Sequence, residues 1–246
     1  GGWQDADQGS TLPAEDGKTG VGQGKKIGKG RMSHLLQISS ETPDPQSIGQ
    51  VVDQIKKGGV CAYPTETFYG LGVDVTNEQA IKHLFDIKRR DYGNPVSVIV
   101  ADRDMLASIV SEVPEKALVL MDLFWPGPLT ILFKTNQKIS KQLTTNTGKI
   151  GIRISSHPIA HAIVKALGHP LTTTSANLSG FPPSFSAKHV RNYFADKVDI
   201  IVDGGELAPS QGSSVVDVTE EKLALIREGV IKSEVLFRQF EEEEMV

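Results

Sequence analysis

Apolar residues recur along this chain in short runs and at helical spacing, separated by clusters of Gly, Pro and small polar residues. Ile48, Val51, Val52 and Ile55 fall on one stripe of a helix that begins near Pro45 and is stopped by Gly58-Gly59. The run from Val60 to Tyr63 then predicts a buried strand. Asn77 is placed to cap a helix with Ile81, Leu84, Phe85 and Ile87 on its apolar side, ending in Lys88-Arg89-Arg90. Val96 to Val100 predicts the next strand. A helix starting at Pro114 must end before Trp125-Pro126-Gly127-Pro128, where no helix continues.

Strands follow at Leu129 to Phe133 and Ile150 to Ile154, then a helix from His157 to Leu167 closed by Gly168. A short strand from Leu171 to Thr174 leads into the turn Ser175-Ala176-Asn177, and Ser186 is placed to cap one more helix. Strands at Val198 to Val202, Ser214 to Val218 and Leu223 to Arg227 succeed one another without helices between them, ahead of a last helix at Ser233 to Phe240. Alternating helices and strands that end in consecutive strands predict an α/β fold with a mixed parallel and antiparallel sheet. No repeat or linker divides residues 45–240, which read as one domain. Residues 1–31 are rich in Gly, Lys and Asp and read as a disordered leader, and 241–246 as a solvated acidic tail.

Charge changes this picture in one respect. The net charge of the 246 residues is only −4, which argues against a general polyanion binder. From Leu123 to Ala195, however, there is no Asp or Glu, while Lys134, Lys138, Lys141, Lys149, Arg153, Lys165, Lys188 and Arg191 all fall there. Such a segment makes either a solvated basic face or a field that attracts phosphates or a nucleic-acid backbone. The single Cys61 excludes an internal disulfide, fits a reducing, cytoplasmic compartment and reads as a small buried hydrophobe. No apolar run approaches membrane-spanning length, so no membrane partner is expected.

Three polar clusters follow buried elements, where α/β folds place their ligands. They are Tyr63-Pro64-Thr65-Glu66-Thr67, Lys88-Arg89-Arg90 with Asn94, and Thr172-Thr173-Thr174-Ser175-Ala176-Asn177. Lysine as a point charge and arginine as a bidentate fork suit a polyphosphate, although cations at a helix C-terminus also complement its dipole. Hydroxyls aligned on one strand end suit a phosphate or an amino-acid carboxylate. Arg153 lies within an apolar strand and must be paired, with a carboxylate of the protein or with a ligand. Arg227 poses the same question, with Glu228 a poorly facing partner, and Ser213 and Ser214 open a strand that they could simply cap. Glu66 is open between a general base and a turn carboxylate. His157 and His161 share helical spacing but have no third ligand near them, so no metal site is expected.

With these residues in view, the chain resembles the YrdC-like family in its short TsaC-type threonylcarbamoyl-AMP synthase branch, from about Ser47 to Phe240. The resemblance rests on Tyr63-Pro64-Thr65-Glu66-Thr67 with Tyr69-Gly70-Leu71-Gly72, on Lys88-Arg89-Arg90, and on Trp125-Pro126-Gly127-Pro128-Leu129-Thr130. Ser175-Ala176-Asn177-Leu178-Ser179-Gly180, Asp203-Gly204-Gly205 and Ser213-Ser214-Val215-Val216-Asp217 continue it. It implies a twisted mixed sheet with flanking helices and a large positively charged cavity. It also implies synthesis of L-threonylcarbamoyl-AMP from ATP, L-threonine and bicarbonate, with Mg²⁺ carried by the triphosphate. The product would pass to a downstream threonylcarbamoyl transferase complex for N6-threonylcarbamoyladenosine in tRNA.

The resemblance places Lys88 and Arg90 as the catalytic cations. Lys88, Arg90, Asn94, Thr144, Ser175, Asn177 and Arg227 fall on ATP positions, and Thr65, Thr67, Arg153, Thr173 and Ser213 on threonine positions. Two other readings use the same fold: a module that binds double-stranded RNA, ribosomal RNA or tRNA in the basic cavity, and a relative that transfers a carbamoyl group to another acceptor.

Overall fold

The computed structural model describes residues 33–88, 95–136 and 139–241. In chain order the elements are β1 (His34–Gln37), α1 (Pro45–Lys56), β2 (Cys61–Pro64), β3 (Tyr69–Gly72), α2 (Glu78–Lys88), β4 (Ser97–Ile99), α3 (Arg103–Ala107), α4 (Glu115–Phe124) and β5 (Leu129–Lys134). Then come α5 (Lys141–Thr144), β6 (Lys149–Arg153), α6 (Pro158–Leu167), β7 (Leu171–Ser175), α7 (Ala187–Phe194), β8 (Ile200–Asp203), β9 (Ser214–Asp217), β10 (Ala224–Arg227) and α8 (Ser233–Glu241).

Local chemistry sets most helix ends. The Asp44 carboxylate accepts from the Ser47 amide ahead of Pro45, the Asn77 side chain accepts from the Ala80 amide, and Ser186 accepts from His189. Gly168 closes α6 in the left-handed conformation at φ 76°. The predicted stripe Ile48, Val51, Val52 and Ile55 is the buried face of α1.

Ten strands form one sheet in the order β1-β8-β2-β3-β7-β4-β6-β5-β9-β10. Four neighbouring pairs are parallel (β1 with β8, β8 with β2, β4 with β6, β5 with β9) and five are antiparallel, which is the mixed sheet expected from the sequence. Strand β7 joins the two halves, pairing Thr174 and Ser175 with β3 and Leu171 to Thr173 with β4.

Alternation along the strands builds two cores on opposite faces. Val60, Ala62, Val98 and Ile201 enter a cluster with residues of α2, α4 and α7, while Cys61, Tyr63, Ile99, Ile200 and Val202 enter another with α1 and α6. Cys61 is a wholly buried core residue, and burial pushes its thiol pKa up.

Four elements escape the sequence reading. Strand β1 offers only the pair Leu35-Leu36 as an apolar signal and has three exposed residues of four, yet it pairs along its whole length with β8. In β3 two glycines mask the strand, but a Cβ at Gly72 would sit 2.7 Å from the Tyr63 ring, so side-chain absence is what lets this hairpin close. Helices α3 and α5 are one turn each, too short to show a period.

On the far half of the sheet, Lys149 reaches across β5 to Asp217 and Glu220, 3.0 Å to each. Burial raises the Asp217 pKa, but hydrogen bonds from Thr219 and the Lys149 charge outweigh it and hold the carboxyl below its usual value. Its contribution to stability is therefore full above the unfolded carboxylate pKa and is lost as pH falls through the lowered folded value. Asp217→Asn is expected to melt below the parent at neutral pH, with the gap closing as pH falls below the ordinary carboxylate range in thermal melts.

Candidate active site

The same alternation that fills the core decides what faces the site. In β5 and β6, Leu129, Ile131, Phe133, Ile150 and Ile152 enter the first core, which turns Thr130 and Arg153 to the opposite face. In β7, Leu171 enters the second core, so Thr173 and Ser175 share the face of Arg153.

Arg153 is buried and paired. Its Nε donates to Glu66 Oε1 at 2.9 Å, and a terminal nitrogen donates to Thr173 Oγ1 at 3.4 Å. The other Glu66 oxygen accepts from the Ser155 hydroxyl, whose oxygen in turn accepts from the His157 amide at 3.2 Å. The protein carboxylate left open as a partner for Arg153 is thus Glu66, brought from the loop after β2. His157 serves the start of α6, where its Nδ1 accepts from the Ile159 amide, and desolvation lowers its pKa despite the nearby Glu66. Among the described residues no group of three or more His, Cys, Asp or Glu is placed to hold a metal ion.

The loop carrying Glu66 is tied by its own hydroxyls. Thr65 Oγ1 donates to the Phe68 carbonyl at 2.6 Å, accepts from the Thr67 and Phe68 amides at 3.2 Å, and lies 3.2 Å from Thr67 Oγ1. Both threonines are buried. Thr65 is therefore a framework for the turn, which fixes where Thr67 sits.

At the end of α2, Lys88 is 2% exposed despite its charge. Its Nζ donates to the Ser175 carbonyl and lies 3.4 Å from Asn177 Oδ1, which also accepts from Ser175 Oγ at 2.6 Å. Asn177 donates onward to the Phe181 carbonyl. Helix cation and strand-end turn, separate in the sequence, thus form one unit. Arg90 and Asn94 lie outside the described residues.

A third unit opens β9. Ser213 Oγ accepts from Thr130 Oγ1 at 2.9 Å, and Arg227 donates to the Ser213 carbonyl at 2.9 Å. Arg227 does not pair with Glu228, which instead accepts from Lys232 and the Ser233 amide. Arg227 is reached by solvent, yet desolvation by surrounding protein atoms and the neighbouring Arg153 guanidinium lower its pKa. The nearness of the two guanidinium groups ties the Ser213 unit to the Glu66–Arg153 unit.

Close backbone approach holds Arg227 in place. A Cβ on Gly229 would lie 2.4 Å from the Gly212 carbonyl and 2.7 Å from that of Ser213. Gly229→Ala is expected to cost about 1–3 kcal/mol and to dislodge Arg227 from Ser213, read as a lower melting temperature with reduced activity.

Thr144 stands apart. It is buried at the end of α5, its hydroxyl turned onto the Lys141 carbonyl, on a helix that packs against α2. Ser155 and Thr130 are the site residues that the sequence reading missed. The signal for Thr130 was a lone hydroxyl in an otherwise apolar strand; Ser155 had none beyond its place just after Arg153.

Comparison with known proteins adds an independent line. A family model named for Sua5, YciO and YrdC, described as telomere recombination, matches residues 53–229. A threonylcarbamoyl-AMP synthase of Pyrococcus abyssi is 37% identical over 175 residues, covering 71% of this chain and 52% of that protein. A threonylcarbamoyl-AMP synthase of Vibrio parahaemolyticus is 33% identical over 183 residues, covering 73% of this chain and 97% of the relative. The chain thus spans about half the length of the first and nearly all of the second. Among solved structures, Sua5 of P. abyssi complexed with L-threonine superposes with a TM-score of 0.81 at 32% identity, covering 84% of this chain and 60% of that one. By sequence and by fold, the chain belongs to the Sua5/YciO/YrdC family.

Proposed function

We propose that the chain joins L-threonine, bicarbonate and ATP into L-threonylcarbamoyl-AMP, releasing pyrophosphate, as the activating step of a tRNA adenosine modification. The observation that carries this reading is the grouping of Arg153 and Arg227 with the hydroxyls of Thr173 and Ser213, together with the buried Lys88 held against the end of β7 at Ser175. The named activity of the synthase relatives supports it.

The chemistry asks for this kind of site. The threonine amine adds to CO2 derived from bicarbonate and loses a proton to give a carbamate. A carbamate oxygen then attacks the α-phosphorus of ATP, and the bond to the bridging oxygen breaks to expel pyrophosphate. No protein nucleophile is needed. The obstacle is to bring a carboxylate, a carbamate and a triphosphate together against their mutual repulsion, which positioned cations overcome in a water-poor setting.

In this reading Lys88, with Arg90 beside it in sequence, takes the triphosphate, and Asn94, Thr144, Ser175, Asn177 and Arg227 serve the nucleotide. Arg153, Thr173, Thr67 and Ser213 serve threonine and its carbamoyl group, while Thr65 acts by shaping the loop. Mg²⁺ would enter as part of the nucleotide substrate, held by phosphate oxygens. No helix among the described residues is long and apolar enough to cross a membrane.

The test is pyrophosphate release with ATP, bicarbonate and each amino acid in turn. The reading expects turnover that depends on L-threonine. Tight RNA binding without such turnover would favour the nucleic-acid module instead.

A further inference from the structure

Glu66 is the carboxylate most intimately placed in the site, and its geometry bears on a role that the residue type alone leaves open. Both oxygens are engaged: Oε1 accepts from Arg153 Nε at 2.9 Å and Oε2 from the Ser155 hydroxyl. Its side chain is 11% exposed and that of Arg153 is 7% exposed. The contact uses Nε rather than the guanidinium fork. One terminal nitrogen is steadied on Thr173 Oγ1 at 3.4 Å, and the other has no partner among the described residues. That nitrogen is not sealed in the interior either, because the buried side-chain atoms lacking a partner do not include it.

An arginine held by Nε has its plane fixed while its terminal edge stays available, and that edge fits a carboxylate in bidentate fashion. The guanidinium of Arg227 also lies near enough to repel Arg153. Glu66 offsets that repulsion locally. Ser155 completes the arrangement by pinning the carboxylate from the second side, and its own oxygen is anchored by the backbone amide of His157. A general base would instead need one oxygen aimed at the substrate amine.

We infer that Glu66 is a positioning residue. Together with Ser155 it orients Arg153 so that its terminal nitrogens grip the carboxylate of the amino-acid substrate, and it takes no proton during the reaction. The inference rests on the threonine-binding reading above and deepens it.

The experiment measures L-threonine binding by calorimetry, together with kcat and KM, for the intact chain, Glu66→Gln, Arg153→Lys and the double variant. Glu66→Gln is expected to weaken L-threonine binding roughly 10- to 100-fold. Its kcat at saturating threonine should stay within about threefold of the parent, with the pH profile of kcat unchanged in shape. Because Glu66 acts through Arg153, the double variant should bind no worse than Arg153→Lys alone. Unchanged binding by Glu66→Gln, or fully additive losses, would overturn the inference. So would a kcat loss of a hundredfold or more with KM intact and the acid limb of the pH profile gone, which is the signature of a general base. Should Glu66→Gln fail to fold, Ser155→Ala carries the same test, with a raised KM and preserved kcat expected and an unchanged KM contradicting it. A parent chain that binds no L-threonine at all would instead overturn the site reading itself, which keeps the two failures distinct.

Discussion

Replacing Lys88 with Met is expected to lower kcat/KM for threonine-dependent pyrophosphate release by roughly 10²- to 10³-fold, the usual cost of removing one preorganised electrostatic contact. The ammonium sits at 2% exposure at the end of α2, bonded to the Ser175 carbonyl and beside Asn177 Oδ1. Burial of that kind makes its field strong, since little water screens it. Methionine keeps the apolar stem and its packing, so the loss should come from the charge and not from a cavity. The two hydrogen-bond acceptors left behind will cost some stability, and a thermal melt beside the kinetics separates the two effects. A melt close to the parent with collapsed kcat supports the role. Parent-like kinetics would remove Lys88 from the machinery.

Arg153→Ala should have the largest effect on stability. It leaves the Glu66 carboxylate, 11% exposed, with the Ser155 hydroxyl but without its cation. Orphaning one partner of a buried pair costs about 3–5 kcal/mol, which for a chain of this size lowers the melting temperature by roughly 10 °C. Much of that penalty belongs to the stranded charge and not to the lost attraction. The double variant Arg153→Ala with Glu66→Ala is therefore expected to regain part of the melting temperature while still failing to bind L-threonine. A double variant less stable than Arg153→Ala alone would show that Glu66 contributes through contacts other than Arg153.

The sequence disclosed these features unevenly, for physical reasons. Elements with a buried stripe or a capping residue, such as α1 behind Asp44 and α2 behind Asn77, could be read because local chemistry and burial agree there. Strand β1 could not, because its exposed residues follow from its place at the sheet edge, and β3 was hidden by glycines that exist for a contact with Tyr63. The candidate residues showed the same division. Lys88, Ser175 and Asn177 were legible as polar clusters after buried elements, and the fold joins them. The Glu66–Arg153 pair was half legible. A charge in an apolar strand demanded a partner, but 87 residues separate that partner in sequence, and only the sheet order brings them together. Thr130 is a lone hydroxyl in an apolar strand and Ser155 has no local signal, and both become meaningful only once the fold sets them beside Ser213 and Glu66.

One site is expected to form both the carbamate and the mixed anhydride. Incubating the chain with ATP, L-threonine and ¹³C-bicarbonate, then resolving the products by mass spectrometry, tests it directly. The expected result is an adenylated product that carries both the label and threonine, formed in step with pyrophosphate. Pyrophosphate without label in any adenylate, or labelled product formed equally well without threonine, would contradict it.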